Sequence, residues 1–255
     1  MRAGGVEGVR ETTQAIGPLA AALKGQRARL VGSGRCKMTL RAVFFDAGDV
    51  LYHRPRRGAR LAAFLAEQGL AAPPNSPEAG ELKRQAHAGE ISKEDYYDAV
   101  LALYGVPSPA ARLEGRRVMD AEQGDIEFFE GVPETLHRLK AAGLRLGVVT
   151  NTFNSTKEKL DWFRKVGIDS LWDSFATSFE LKFCKPDARI YLAALEPIGV
   201  PPQEAAFVGH AAVELAGAKA LGMTIIAFNH DDETVTADHV ISKFPELLEV
   251  MGLEE

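Results

Sequence analysis

Ala42-Val43-Phe44-Phe45-Asp46-Ala47-Gly48-Asp49-Val50-Leu51 decides how the rest of the chain is read. Four apolar residues run into an aspartate and a glycine-containing turn, the pattern of a strand buried on both faces of a parallel sheet. In open α/β sheets ligands sit beyond the carboxyl ends of the strands, which is where Asp46 stands. A carboxylate held there can attack phosphorus or carbon and form a covalent intermediate. Taken alone, Asp46 reads more simply as a turn residue or helix cap, so its partners decide.

Those partners follow in order. Leu144-Arg145-Leu146-Gly147-Val148-Val149-Thr150-Asn151 is a second apolar strand, ending on a hydroxyl and an amide that can donate to an anionic oxygen. In Phe183-Cys184-Lys185-Pro186-Asp187 a lysine, suited to neutralising charge on a transferring group, precedes a proline that can open a helix from about Asp187 to Leu195. Ala206-Phe207-Val208-Gly209-His210, followed by Glu214 and Gly217-Ala218, reads as a strand entering a helix, with Glu214 about one turn in.

The order and spacing of these segments resemble the haloacid dehalogenase superfamily of hydrolases, whose motifs are a nucleophilic Asp, a Thr or Ser, a Lys and an acidic metal-binding segment. The resemblance spans roughly Thr39 to Val250 and takes in the approach from Gly131-Val132-Pro133 through Lys140-Ala141-Ala142-Gly143 to Thr150. It implies an α/β fold, with a doubly wound Rossmann-like parallel sheet core and an inserted α-helical cap subdomain. For a phosphate monoester it implies Asp46 as nucleophile, Thr150 and the Asn151 region as holders of phosphoryl oxygens, and Lys185 as charge neutraliser. It also implies Mg²⁺ bound by Asp46, the Gly48 carbonyl and Glu214, in keeping with that ion's preference for oxygen ligands.

Two residues depart from the family pattern. Gly48 stands where family phosphatases carry a second Asp as general acid and base, a role whose loss costs ~10²–10⁴ in rate. His210 stands where many members place a metal-binding aspartate, leaving Glu214 to carry that role. A histidine there can supply a proton near neutral pH, or simply bond to nearby backbone at a helix start. Three readings therefore compete: a Mg²⁺-dependent phosphatase of a small phosphorylated metabolite, a 2-haloacid dehalogenase, and a weakly active or non-catalytic member that binds a ligand or partner. The dehalogenase reading draws on Tyr191, which falls where those enzymes place a tyrosine, and on a halide leaving group that needs no proton.

The residues between Asp46 and Thr150, about 100, are too many for an unstructured loop. Ala59 to Gln68, Pro77 to His87, Lys93 to Tyr104 and Ala110 to Gln123 show helical patterning, and Ser92 with Asp95 forms a capping-box-like start. The expected division is residues 38–55 and 125–255 as core, 56–124 as cap, and 1–37 as a poorly ordered extension, with a short amphipathic helix around Glu11 to Lys24 as the alternative. Later elements are expected at Ser174 to Phe179, Ala205 to Val208, Met223 to Phe228 and Val240-Ile241 as strands, and near Ser155 to Val166 and Ala212 to Leu221 as helices.

Composition fits such an enzyme. The 255 residues are 46% hydrophobic and 25% charged with net charge −5, enough for a sizeable core. Mild acidity offers no general attraction to nucleic acid or anionic membrane; the local cluster Arg54, Arg56, Arg57 and Arg60 can still meet an anionic substrate, but reads more simply as a solvated face. Cys36 and Cys184 lack metal-ligand spacing and read as free thiols of a reducing cytoplasm. No apolar run approaches the ~20 residues that span a bilayer. The acidic turn Asn229-His230-Asp231-Asp232-Glu233 reads as a solvated loop, with metal binding as the alternative, and His53, His87, His137 and His239 as surface or packing residues. Substrate identity and oligomeric state are not readable.

Overall fold

A computed structural model describes residues 40–71, 76–230 and 232–253; the expectations for residues 1–37 lie outside the described residues. In chain order the elements are β1 (Ala42–Phe45), β2 (Tyr52–His53), α1 (Ala59–Glu67), α2 (Pro77–His87), α3 (Lys93–Leu103), α4 (Pro109–Gln123), β3 (Glu127–Phe128), α5 (Val132–Ala141) and β4 (Arg145–Thr150). There follow α6 (Thr156–Arg164), β5 (Ser174–Thr177), α7 (Ser178–Leu181), α8 (Ala188–Leu195), β6 (Ala205–Gly209), α9 (Ala212–Ala220), β7 (Thr224–Phe228), β8 (His239–Ile241) and α10 (Leu247–Val250).

Six strands form one sheet in the order β5-β4-β1-β6-β7-β8, and every pairing in it is parallel. β1 is central, as its unbroken apolar run requires. Side-chain alternation divides the core in two: Val43 and Phe45 pack with α5, α6 and α10 on one face, whereas Ala42 and Phe44 pack with α8 and α9 on the other. Phe44 and Phe45 are fully buried, each worth roughly 1.5–3 kcal/mol. Helices on both faces make this a doubly wound, Rossmann-like α/β fold.

Helices α1 to α4 form their own apolar cluster around Phe64, Leu65, Tyr97, Leu101 and Met119, which also takes in Phe153 from the loop after β4. Lys93 of α3 reaches Glu158 of α6 at 2.6 Å and also pairs with Asp120 of α4, tying the inserted helices to the sheet layer. Serines start three of the four elements that sequence places there: Ser76, Ser92 and Ser108 accept from the third residue on, satisfying helix N–H groups that have no partner inside the helix.

Local details differ from the sequence reading. Pro186 lies before the helix it was expected to open: Asp187 is the cap, its carboxylate accepting from Arg189 N at 2.9 Å, and α8 begins at Ala188. The expected strand from Ser174 to Phe179 stops at Thr177, whose hydroxyl accepts from Glu180 N and starts the short α7. An unforeseen two-stranded antiparallel ribbon, β2 with β3, brackets the inserted helices; two-residue strands leave too little periodicity to read.

Candidate active site

The carboxyl ends of β1, β4 and β6 deliver Asp46, Thr150 and His210 to one edge of the sheet, the consequence of aligning three parallel strands. Asp46 is 5% exposed. Its Oδ1 accepts from Ala47 N at 2.7 Å and lies 2.8 Å from Lys185 Nζ, while Oδ2 faces His210 Nδ1 at 3.5 Å. Lys185 Nζ also lies 2.7 Å from Glu214 Oε2 on α9, so one buried ammonium joins two carboxylates. Tyr191 steadies this arrangement from α8, donating to the Glu214 main-chain carbonyl at 2.7 Å.

The charges follow from this geometry. Burial opposes ionisation of Asp46, but the Lys185 ammonium and the His210 contact outweigh it and hold the carboxyl below the usual range. Burial acts in the same direction on Glu214 and there prevails, pushing it up against the pull of Lys185. Lys185 stays charged, since Asp46 and Glu214 overcome its desolvation, and the Asp46 contact raises His210. An ionised carboxylate beside a fixed ammonium is the arrangement a nucleophile needs.

Asp46, Gly48, Thr150, Asn151, His210 and Glu214 all line one cavity of about 520 Å³ between the sheet edge and the inserted helices. The Asn151 side chain is also engaged within the site: its Nδ2 donates to Lys185 O at 3.3 Å and Glu214 Oε1 at 3.1 Å, and its Oδ1 accepts from Lys185 N at 2.8 Å. The side-chain amide therefore positions Lys185 and Glu214. Asp49, next to Gly48, adopts φ 60 and pairs with Arg57 at 3.1 Å, so it does not replace the missing acid. Asn229 holds that turn, donating to Asp49 O at 3.0 Å.

Oxygen donors for Mg²⁺ converge here. Glu214 Oε2 is buried with no hydrogen bond in good geometry despite its ion contact with Lys185, and Asp46 and Gly48 line the same cavity. Two carboxylates and a main-chain carbonyl suit an ion that keeps waters and takes its remaining ligands from substrate. Among the described residues no group of three or more His, Cys, Asp or Glu side chains gathers in metal-binding form.

Arg54, one of the arginines that the sequence offers to an anionic substrate, lines the cavity, and so do Lys83, His87 and Lys159, which the sequence did not single out for the site. Lys159 is 2% exposed, and its Nζ donates to Tyr52 Oη at 2.5 Å. Burial and the Arg54 charge pull its pKa down to about 7. One sign was available: Lys159, Trp162 and Phe163 share the buried face of α6 at i, i+3, i+4 spacing, and a lysine in an apolar stripe calls for a reason. Arg57 and Arg54 reach the cavity, whereas Arg60 is held by Asp125 at 2.6 Å.

Comparison with known proteins agrees with this geometry. The chain is 31% identical over 207 residues to the glyceraldehyde 3-phosphate phosphatase of Methanothermobacter thermautotrophicus, covering 79% of this chain and 91% of that enzyme. It is 33% identical over 114 residues to an (S)-2-haloacid dehalogenase of Burkholderia cepacia, covering 44% and 48% respectively. Among solved structures, a 2-haloacid dehalogenase from Pseudomonas syringae superposes with a TM-score of 0.62 at 25% identity over 84% of this chain and 99% of that one. A phosphatase from Thermococcus onnurineus shares the fold with a TM-score of 0.60 at 23% identity, over 84% and 99%. Residues 40–222 match the family model for haloacid dehalogenase-like hydrolases, and the chain belongs to that family of hydrolases.

Proposed function

We propose that the protein is a Mg²⁺-dependent phosphatase of a small phosphorylated metabolite, working through an aspartyl-phosphate on Asp46. The observation that carries this reading is the ionised Asp46 carboxylate, fixed by Lys185 and opening on a cavity lined by Thr150 and Glu214. The relative with the broadest match described above is a phosphatase by name, which supports the same choice.

Asp46 Oδ1 is held by two donors, leaving Oδ2 to attack phosphorus. A bond forms between Oδ2 and phosphorus as the ester oxygen departs; water then cleaves the aspartyl-phosphate, releasing phosphate and restoring Asp46. Lys185 holds the attacking carboxylate in place and offsets the phosphoryl charge. Thr150 offers its hydroxyl to a phosphoryl oxygen, while Asn151 keeps Lys185 and Glu214 aligned. Asp46, Gly48 and Glu214 would hold Mg²⁺, which screens the repulsion between carboxylate and phosphoryl oxygens. His210 is the candidate carrier of the leaving-group proton, since Gly48 bears none and Asp49 is tied to Arg57. Helices α1 to α4 serve as the cap that excludes water.

A second reading, a 2-haloacid dehalogenase, is favoured by one feature: Arg54 lines the cavity with a buried Nε that has no hydrogen-bond partner, a suitable receiver for halide. Phosphate release from nitrophenyl phosphate with Mg²⁺ and with chelator, beside halide release from 2-chloropropionate, separates the two. Metal-dependent phosphate release supports the phosphatase; halide release alone replaces it with the dehalogenase; neither activity leaves a binding protein.

A further inference from the structure

We propose that the cavity takes a phosphomonoester bearing a second anionic group, a carboxylate or another phosphate, seated on Arg54, Lys83 and Lys159. This rests on the phosphatase reading and names the substrate class for it.

Without such a group three cations of the cavity wall have no carboxylate partner among the described residues. The acids of the wall are all engaged. Asp46 and Glu214 share Lys185, Asp49 pairs with Arg57, and Glu122 of α4 accepts from the main-chain N–H groups of Gly58 and Leu61 at the start of α1. Among the described residues Arg54, Lys83 and Lys159 ion-pair with no carboxylate, although all three line the cavity. Lys159 has only the Tyr52 hydroxyl and the Tyr52 and Trp162 rings, and Arg54 Nε is buried without an acceptor. Withdrawing a cationic group from water and leaving it unpaired, as at Lys159 and at Arg54 Nε, is costly; an anion arriving from solution recovers that cost.

The neighbouring ionisable groups stand in the same field. Burial lowers Lys83, helped by Arg57 and Arg54. His87, beside them on α2, is pushed down to about 3 by burial and by Lys83, Lys159 and Arg54, so it stays neutral and can donate a hydrogen bond without adding charge. The three cations come from elements other than those carrying the reacting groups: Arg54 follows β2, Lys83 is on α2 and Lys159 on α6. None bonds to Asp46, whose charge Lys185 already meets. The transferring phosphoryl group thus leaves them for the other end of the substrate.

Isothermal calorimetry on the wild-type protein with short ω-phosphonocarboxylates, alkane bisphosphonates and the matching alkylphosphonates, none of them hydrolysable, tests this directly. The anionic tail is expected to tighten binding by about tenfold or more, as charge-assisted hydrogen bonds do, and the better of the two tails identifies the group. Arg54→Gln and Lys83→Gln, both at partly exposed positions, are each expected to shrink that advantage severalfold. Equal affinity for charged and neutral tails, or an advantage untouched by both variants, overturns the proposal. Turnover of the corresponding phosphate esters separates the two claims. Hydrolysis with no tail preference sinks this inference and leaves the phosphatase reading standing, whereas tail-dependent binding without hydrolysis does the reverse.

Discussion

Replacing Lys159 with methionine removes a buried ammonium while keeping an unbranched side chain of similar length, and the consequence for stability depends on pH in a calculable way. In the folded protein Lys159 titrates at about 7 instead of its ordinary 10.5. Above about pH 10.5 the lysine is neutral in both states and costs nothing. As the pH falls towards 7 the unfolded chain binds a proton that the folded one refuses, and stability drops by about 1.4 kcal/mol per pH unit. Below about pH 7 the full penalty stands, on the order of 5 kcal/mol. Urea denaturation of wild type and Lys159→Met at pH 7 and pH 9 isolates this term, because every other titrating group cancels in the difference. The wild type is expected to gain about 2 kcal/mol on the variant between those values, worth about 4–8 °C in a domain of this size. Parallel pH dependences for the two proteins would refute the reasoning that places an unpaired ammonium in the cavity wall.

Other substitutions test the rest of the site. A Cβ at Gly48 meets nothing within 4 Å, so Gly48→Asp fits and is expected to raise turnover of alkyl phosphates by about 10²-fold, with little gain on nitrophenyl phosphate, whose leaving group needs no proton; equal gains on both would contradict the missing-acid account. His210→Ala is expected to slow alkyl phosphates more than nitrophenyl phosphate, and an unchanged ratio removes His210 as proton carrier. Gly217→Ala sets a Cβ 2.8 Å from Pro186 Cβ and 2.9 Å from Pro186 O; a loss of about 1–3 kcal/mol by chemical denaturation and slower turnover are expected, because the backbone carrying Lys185 must shift.

What the sequence disclosed and what it hid follow from the range of the interactions involved. Asp46, Thr150 and Lys185 were legible because each directly follows or closely adjoins an apolar strand or a proline, and parallel pairing then brings the strand ends together without further information. The inserted helices were legible from their helical patterning and, for α3, from the Ser92 cap. The bounds of β5 were not, since Ser174 to Phe179 is apolar enough for a strand and only the Thr177 cap ends it. Asn151 could be named but not given its role, because its partners Lys185 and Glu214 are fixed by tertiary packing. Most of the basic wall was hidden for the same reason: Lys83 and Lys159 lie far from Arg54 in sequence and join it only when α2 and α6 flank one cavity.

The central claim is that Asp46 is the nucleophile, and its most direct test is phosphate release from nitrophenyl phosphate in Mg²⁺ by wild type and Asp46→Asn, with circular dichroism confirming that both are folded. The amide is nearly the same size but cannot attack phosphorus. A fall in turnover of about 10³-fold or more is expected, as for the loss of other covalent nucleophiles. A folded Asp46→Asn protein that keeps more than about a tenth of the wild-type turnover would contradict the account.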